Sequence, residues 1–343
     1  MRAVVFAGNG EVRLDDVPTP QILEGSDAII RVSLAAICGS DLHLLDGKTP
    51  GMKVGGVIGH EFVGVVEESS AIAPGTRVLG SFLIACGRCV NCRDRRFNFC
   101  ERRRALGLGR LTGDLDGAQA EFVRVPDATI NLKVLEGALV SLTDEQVLFG
   151  GDVLTTGFYG AHLAGPARSV AVVGAGPIGI FTALALRSRG CDVLILDTDP
   201  RRVESAERLL GGGALLATED VSDAVAEATS GTMVDAAIDA VGTIPAFKSA
   251  MRIVRDGGRV VVIGVYGAER YELPMGMAWI RGLEIVFSGM ANIHGHWDDA
   301  LASVTRGEVD PSTIVTHRMA LDDAEEAYRL FAAREAMKVT LTP

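Results

Sequence analysis

Four cysteines lie within fifteen residues of one another: Cys86, Cys89, Cys92 and Cys100. The spacing C-x2-C-x2-C-x7-C is typical of a loop that wraps a closed tetrahedral zinc site, in which each thiolate sulfur lies about 2.3 Å from the metal. Disulfide bonds are the alternative, but cysteines so close in sequence are poorly placed to bridge one another. Nothing else in the sequence indicates an oxidising compartment. The spacing therefore predicts a structural zinc lobe at residues 86–100.

Length and charge exclude several other classes of protein. A chain of 343 residues is too long for one ordinary core, so two domains are expected. The net charge of −11 disfavours nucleic acid as a partner. We expect the arginines near the four cysteines to offset the negative charge of a zinc tetrathiolate; they are Arg93, Arg95, Arg96, Arg102, Arg103 and Arg104. The N-terminal segment lacks the apolar region of a signal peptide, and no apolar run is long enough to span a membrane. We therefore expect a cytoplasmic protein.

Hydrophobic patterns divide the chain into two regions. The first is rich in short β-type runs and predicts a mostly antiparallel domain with strands at Arg2–Phe6, Asp27–Ala35, Phe62–Glu67, Arg77–Ser81 and Glu121–Val125. From Ser169 onward strands and helices alternate, which predicts a parallel sheet. We place this second domain at 154–289. The remaining residues, 290–343, show no sign of a new domain and are expected to pack back onto the first domain, 1–153.

A glycine-rich turn marks a dinucleotide site in the second domain. The sequence G-A-G-P-I-G follows the apolar run Ser169–Val173 and opens a helical pattern. In a G-x-G-x-x-G turn, Gly174 permits the tight turn, Gly176 admits the pyrophosphate, and Gly179 allows the helix to pack closely on the strand. The free N–H groups and dipole of the helix N-terminus favour an anion there.

Asp197 ends the next predicted strand and indicates the type of cofactor. Its carboxylate can accept hydrogen bonds from the adenosine ribose hydroxyls, and its charge would repel a 2′-phosphate. Thr198 and Asp199 follow it, so no arginine adjoins Asp197 in the sequence to bind that phosphate. NAD is therefore favoured over NADP.

Cys38 and His60 form a second candidate metal site, in the segments C-G-S-D-L-H and G-H-E. A catalytic zinc needs three protein ligands and one open position. Taken alone, one cysteine and one histidine could equally well be ligands or buried core side chains.

The chain resembles the zinc-dependent medium-chain alcohol dehydrogenases, in their bacterial form, over essentially its whole length. The motifs that carry the resemblance occur in the family's order and spacing: C-G-S-D-L-H, G-H-E-F-V-G, the four-cysteine lobe, G-D-V-L-T-T-G-F and G-A-G-P-I-G. It implies an α/β fold with a GroES-like β-rich catalytic domain, a Rossmann domain with a doubly wound parallel sheet, and an active site between them.

The resemblance implies a catalytic zinc held by Cys38, His60 and Asp152. The third ligand varies within the family between a cysteine and an acidic residue, and no cysteine stands between Cys100 and Cys191. With the lobe, this predicts two zinc ions per chain. Glu61 matches a glutamate near the metal, and Asp41 is expected to orient His60 by a hydrogen bond.

The family's proton relay and cofactor contacts can be matched to this chain as well. The relay passes from a hydroxyl, here Ser40, through the nicotinamide ribose to a histidine, here His43. Weaker matches are Thr156 near the nicotinamide, Arg202 near the adenosine ribose, Lys338 at the pyrophosphate and Phe82 in the substrate pocket. His294 and His296 are not assigned as ligands because the family offers no such role.

These observations predict reversible, NAD- and zinc-dependent oxidation of a primary or secondary alcohol to an aldehyde or ketone. A polyol, threonine or formaldehyde dehydrogenase of the same family is the alternative. A non-catalytic nucleotide- and zinc-binding scaffold would be expected to lack Ser40, His43 or the third ligand. The family also implies a homo-oligomer, with a tetramer favoured over a dimer.

Overall fold

The computed structural model describes residues 1–47, 51–217, 221–267, 270 and 272–343. The chain forms two compact units: unit 1 comprises Met1–Thr155 and Asn292–Pro343, and unit 2 comprises Thr156–Ala291. The boundaries proposed from the sequence, after 153 and after 289, each lie two residues before these divisions, after 155 and after 291.

The first segment of unit 1 is built mostly from short strands joined by loops. The strands are β1 (Arg2–Gly8), β2 (Glu11–Asp16), β3 (Ala28–Ala36), β4 (Glu61–Ser69), β5 (Arg77–Gly80), β6 (Leu83–Ile84), β7 (Arg104–Ala105), β8 (Phe122–Val125) and β9 (Leu132–Val134). The helices are α1 (Gly39–Leu45), α2 (Val90–Arg93), α3 (Ala128–Asn131) and α4 (Asp144–Leu148). The predicted strands are all present, and their ends differ by no more than two residues.

Unit 2 contains the parallel sheet. Helix α5 (Val153–Leu163) leads into it, and the strands are β10 (Ser169–Val173), β11 (Asp192–Asp197), β12 (Ala214–Leu216), β13 (Val234–Asp239), β14 (Val254–Val262) and β15 (Glu284–Phe287). The helices are α6 (Pro177–Ser188), α7 (Pro200–Leu210), α8 (Val221–Ala228), α9 (Ile244–Ile253) and α10 (Met275–Ile280). In the described part of the chain the strand order is β12-β11-β10-β13-β14-β15. This order, with every pair parallel, is that of the predicted doubly wound Rossmann sheet.

The last segment returns to unit 1. It contains α11 (Ile293–Thr305), β16 (Val315–Ala320), α12 (Ala324–Ala332) and β17 (Lys338–Thr342). Strand β17 pairs antiparallel with β3 and parallel with β16, which gives the order β16-β17-β3-β4-β5-β9 with β8 on β3. The same sheet therefore carries the residues just before Cys38, at the end of β3, and those just after His60, at the start of β4.

Among the helices of the described residues, none has both the length and the apolar character that crossing a membrane would demand.

Candidate active site and metal centres

The four cysteines of the lobe converge as their spacing predicts. Their sulfur atoms all lie within 4.8 Å of one another, and a tetrahedron with Zn–S bonds of about 2.3 Å has edges of about 3.8 Å. The sulfur atoms of Cys89 and Cys92 are 3.5 Å apart, so no disulfide joins them. The backbone N–H groups of Cys86 and Arg102 donate to Cys100 Sγ at 3.3 and 3.4 Å. Such donors stabilise thiolates, and the cluster fits a structural zinc.

Backbone N–H donors also favour the thiolate form of Cys86. Burial opposes ionisation of its thiol, but the backbone N–H groups of Arg88 and Cys89 lower the pKa of Cys86 to about 6. Burial raises the pKa of Cys92. A metal ion at the centre of the lobe would supply the positive charge that four thiolates require.

The start of α11 holds the lobe in place through side chains that the sequence analysis did not assign. Asn292 accepts from the N–H of Phe97 at 3.2 Å and donates to Arg95 O at 2.9 Å. The ring of His294 packs on Phe97 with centroids 5.1 Å apart, and its Nε2 donates to Asn131 Oδ1 at 2.9 Å. His294 therefore supports the lobe.

The second ligand cluster brings together Cys38, His60 and Asp152. Their donor atoms lie within 4.8 Å of one another, and all three residues are buried. Cys38 Sγ is 3.3 Å from Asp152 Oδ2, and His60 Nε2 is 3.3 Å from the same oxygen. Cys38 is the N-cap of α1, and Asp152 follows the short 3-10 turn Phe149–Gly151. Three chain segments thus present a sulfur, a nitrogen and an oxygen at one point.

The electrostatics of this cluster fit a cation. Burial opposes a charged imidazole, but Asp41 and Asp152 raise the pKa of His60 well above its usual range. Burial opposes ionisation of Asp152, but its hydrogen bond with His60 lowers the pKa of that carboxyl. Burial, together with the charge of Asp152, raises the pKa of Cys38. The donor set requires a positive charge at its centre, and a sulfur–nitrogen–oxygen set of this kind suits zinc.

Glu61 and Lys338 form a buried ion pair in unit 1. Lys338 Nζ donates to Glu61 Oε2 and, at 2.9 Å, to Ile37 O, and both side chains are at most 1% exposed. Burial raises the pKa of Glu61 to about 7, although Lys338 favours the ionised form. Among the described residues, Glu61 Oε1 has no hydrogen-bond partner. The pyrophosphate contact of Lys338 stays a prediction, and it would require the ammonium to leave these partners.

Ser40 lies at the ligand cluster. Its hydroxyl oxygen is 3.1 Å from His60 Nε2, the ring nitrogen that faces Asp152. His43 is half-buried on the same helix, three residues on, and side chains at this spacing lie on one face. The ring of Phe82, 8% exposed, meets the ring of His60 edge to face with centroids 6.0 Å apart.

The glycine-rich turn of unit 2 has the predicted shape. At Gly174, with φ of 107°, a Cβ would lie 2.6 Å from Val241. At Gly179 a Cβ would lie 1.8 Å from Gly174 O, so the helix packs directly on the turn. At Gly176, the N-cap of α6, no atom of the described residues lies within 4 Å of that position. This open side of the turn fits a pyrophosphate.

Asp197 ends β11 beside this turn. Its Oδ2 accepts from the N–H of Ala175 at 2.8 Å, and its Oδ1 accepts from the N–H of Asp199 at 2.9 Å. Arg202, on α7, places Nη1 3.8 Å from Asp197 Oδ2. The sequence argument considered only the neighbours of Asp197 along the chain, whereas one turn of helix brings an arginine close to it. Thr156 is buried on α5.

Two residues of the ligand site had no signal in the sequence. Gln119 and Tyr328 both lie buried against Asp41, the residue predicted to orient His60. Tyr328 is separated from Asp41 by 287 residues, and no motif connects them. Local patterns of strands and helices in the sequence do not predict a contact between residues so far apart.

Both units are similar to domains of known proteins. Residues 24–134 match the alcohol dehydrogenase GroES-like domain, and residues 177–306 match the zinc-binding dehydrogenase domain. An alcohol dehydrogenase of Cupriavidus necator is 34% identical over all of this chain and 99% of its own length. The L-threonine 3-dehydrogenase of Shigella dysenteriae is 30% identical over 96% of this chain and 95% of its own.

A solved structure gives the same result for the fold. The alcohol dehydrogenase TADH from Thermus sp. ATN1 is 39% identical, with a TM-score of 0.92 over all of this chain and 99% of that one. The GroES-like and Rossmann architecture predicted from the motifs is thereby confirmed. Similarity of this extent and identity establishes common descent, and the chain belongs to the zinc-type alcohol dehydrogenases.

Proposed function

We propose that this enzyme oxidises a primary or secondary alcohol to an aldehyde or ketone, reversibly, with NAD as the hydride acceptor and zinc as the catalytic metal. The observation that carries the proposal is the buried convergence of Cys38, His60 and Asp152, with the Ser40 hydroxyl 3.1 Å from His60 Nε2. Cys38, His60 and Asp152 would hold the catalytic zinc, and the four lobe cysteines would hold a second, structural zinc.

Each group at the site has a task that its position supports. When bound, zinc supplies Lewis acidity that makes an alcohol hydroxyl more acidic. Ser40, beside the ligand cluster, accepts the proton of the alcohol as it gives up its own hydroxyl proton, and His43 on the same face of α1 receives a proton at the end of the relay. Phe82 provides an apolar wall next to His60 that excludes water. Glu61, held by Lys338, keeps a carboxylate close to the ligands.

The nucleotide is proposed to bind at the turn of unit 2. Gly176 leaves room for the pyrophosphate, and the N-terminus of α6 directs free N–H groups toward it. The Asp197 carboxylate supports NAD over NADP because a 2′-phosphate would meet its negative charge. Arg202 beside it is proposed to contact the adenosine ribose, and Thr156 the nicotinamide.

The test is NADH formation across a panel of linear, branched, benzylic and polyol alcohols, with NADP⁺ as the cofactor control. Ser40→Ala is expected to lower kcat/KM about 10²- to 10⁴-fold, the usual contribution of proton transfer, with zinc content unchanged. Ser303→Ala, which removes a buried helix hydroxyl bonded to Ala300 O, is the matched control. Unchanged NADH formation in Ser40→Ala from every alcohol would contradict the relay.

A threonine or polyol substrate is the second candidate. The L-threonine 3-dehydrogenase relative supports it, since its similarity extends over nearly the whole chain. Threonine and polyols in the same panel decide between the two candidates: the substrate with the highest kcat/KM names the class.

The enzyme is proposed to form homo-oligomers, with a tetramer favoured over a dimer. Strand β15 lies at an edge of the sheet in the described residues, and it and α10 present exposed apolar side chains: Met275, Met277, Trp279, Ile280 and Phe287. Exposed apolar groups of this size favour burial against a partner. Light scattering on the purified enzyme measures the number of subunits.

We further propose a cytoplasmic location. The six cysteines are free thiols, and five of the seven proposed metal ligands are cysteine sulfurs. A reducing compartment keeps such thiols available. Fractionation of the producing cell tests this assignment.

A further inference from the structure

A chain of buried polar side chains runs from helix α12 to the ring of His60. Tyr328 donates its hydroxyl hydrogen to Gln119 Oε1 at 2.8 Å, and Gln119 Nε2 donates to Asp41 Oδ2 at 3.2 Å. The other carboxylate oxygen, Asp41 Oδ1, lies 3.2 Å from His60 Nδ1. None of the four residues is more than 4% exposed. Because water does not reach them, each group depends on its neighbours for hydrogen bonds.

The partners of Gln119 leave its amide one favourable orientation. An amide nitrogen carries two hydrogens, and here they point to Asp41 Oδ2 and, at 3.1 Å, to Ala36 O. The amide oxygen accepts from Tyr328. A flipped amide would set its oxygen against two acceptors. Both amide hydrogens and one lone pair of the amide oxygen are therefore used, which holds the side chain in place.

Asp41 in turn is fixed on one side and directed at His60 on the other. Its Oδ2 accepts from the N–H of Cys38 at 3.0 Å and from Gln119, so rotation of the carboxylate is blocked. Its Oδ1 lies 3.2 Å from His60 Nδ1, without the alignment of a hydrogen bond, and neither atom has a hydrogen-bond partner among the described residues. A carboxylate at Nδ1 favours the tautomer with hydrogen on that nitrogen, which leaves the lone pair of Nε2 facing Cys38 and Asp152.

The backbone before His60 is shaped around the same glutamine. Gly59 has φ of +86°, and a Cβ there would lie 2.3 Å from Gln119 Cγ. At Gly117 a Cβ would lie 2.2 Å from Ile58 O, and at Gly107 it would lie 2.4 Å from Gly59 O. Three glycines thus let the segment that carries His60 lie directly on the Gln119 side chain.

We propose that Gln119 and Tyr328 are positioning residues for the catalytic metal: through Asp41 they hold His60 in the orientation and tautomer that bind zinc. The inference rests on the proposed function, because it takes Cys38, His60 and Asp152 to be the zinc ligands. It assigns part of the metal affinity to a helix far from those ligands in the sequence.

The experiment compares zinc retention at the two metal sites of the same molecule. Wild type, Tyr328→Phe and Gln119→Leu are equilibrated with a chelator at graded free zinc, and bound zinc and reactive thiols are counted together. Release from the catalytic site exposes one cysteine, Cys38, whereas release from the lobe exposes four, so the thiol count identifies the site. We expect the free zinc needed for half occupancy of the catalytic site to rise about 10- to 100-fold in Gln119→Leu and about 3- to 10-fold in Tyr328→Phe. The lobe should be unchanged.

Tyr266→Phe is the matched control. Tyr266 also donates its hydroxyl to a buried carboxylate, Asp239, at 2.7 Å, but it lies in unit 2. Its zinc retention should equal that of wild type. In an Asp41→Asn background, Tyr328→Phe should have no further effect on zinc retention, because its action passes through Asp41. A purely structural role would persist in that background.

Each outcome decides the inference. Retention equal to wild type in both variants, or equal weakening at the lobe and the catalytic site, overturns it. Should Gln119→Leu fail to fold, Tyr328→Phe still decides, because it removes one oxygen and keeps the ring. If the wild-type protein itself binds no zinc at Cys38, the proposed function fails instead, and the two failures are distinguished by the wild-type titration alone.

Discussion

The lobe cysteines come from residues 86–100, whereas the catalytic cluster joins Cys38 to Asp152 across 114 residues. The lobe sulfurs are surrounded by backbone N–H donors from the same short loop, such as that of Arg102. The catalytic ligands are instead surrounded by side chains from other elements, among them Asp41 and Gln119. A site built locally depends on its own loop, and a site built from distant segments depends on the fold of the whole unit.

The largest expected effect is a loss of activity when a catalytic ligand is removed and the lobe is left intact. Cys38→Ala should lower kcat/KM by about 10³-fold or more, because the Lewis acidity of a catalytic zinc is worth several kcal/mol in the transition state. Lobe zinc and thermal stability should remain near the wild-type values. Metal analysis, calorimetry and kinetics on one preparation measure all three. Loss of both metals together would show that the sites are not independent.

The next effect concerns stability. Cys92→Ala should release zinc from the lobe and destabilise unit 1 by about 3 kcal/mol, because structural zinc contributes directly to folding. Limited proteolysis should cut within residues 86–104. The catalytic cluster should still bind zinc, and its loss in this variant would contradict the separation of the two sites.

A third effect depends on pH and acts through the support of the lobe. Burial lowers the pKa of His294 to about 3 from an ordinary value of 6.5. Since the folded pKa is depressed, the unfolded state binds the extra proton, so stability is full above pH 6.5 and falls as the pH drops toward 3. Between pH 7 and pH 5 this loss is about 2 kcal/mol.

His294→Gln removes the titrating group and keeps a donor for Asn131. The fall in unfolding free energy between pH 7 and pH 5 should therefore be about 2 kcal/mol smaller in the variant than in wild type. Denaturant unfolding at both pH values measures the difference. Equal slopes would show that His294 is not buried in its neutral form.

The smallest effect tests the arginines around the lobe. The Arg96 side chain is 59% exposed and its Nη2 lies 3.9 Å from Asp94 Oδ2, so solvent screens its charge. Arg96→Ala should change lobe stability by less than about 0.5 kcal/mol. A large loss of lobe zinc in this variant would show that the arginines, rather than backbone N–H groups, balance the thiolate charge.

The difference between the lobe and the catalytic cluster also explains which residues could be predicted from the sequence. The four cysteines and the three glycines could be assigned from their spacing. The members of each motif are close along the chain, so the local backbone determines their arrangement. From the residues alone, Cys38 and His60 could be either metal ligands or core side chains. Asp152 was assigned as a ligand only through the family resemblance. Gln119 and Tyr328 are 209 residues apart, and only the packing of α12 brings them together. Arg202 was matched to the adenosine ribose, and the start of α7 brings it to within 3.8 Å of Asp197.

The pairing of β17 with β3 bears on how the enzyme is made. A ribosome completes every residue of unit 2 before it reaches Lys338, so the parallel sheet can fold while the β-rich unit still lacks a strand. During that interval the carboxylate of Glu61 has no ammonium beside it, and an edge of the nascent sheet stays open to other chains. Chaperone capture of the growing polypeptide is expected to concentrate on this interval.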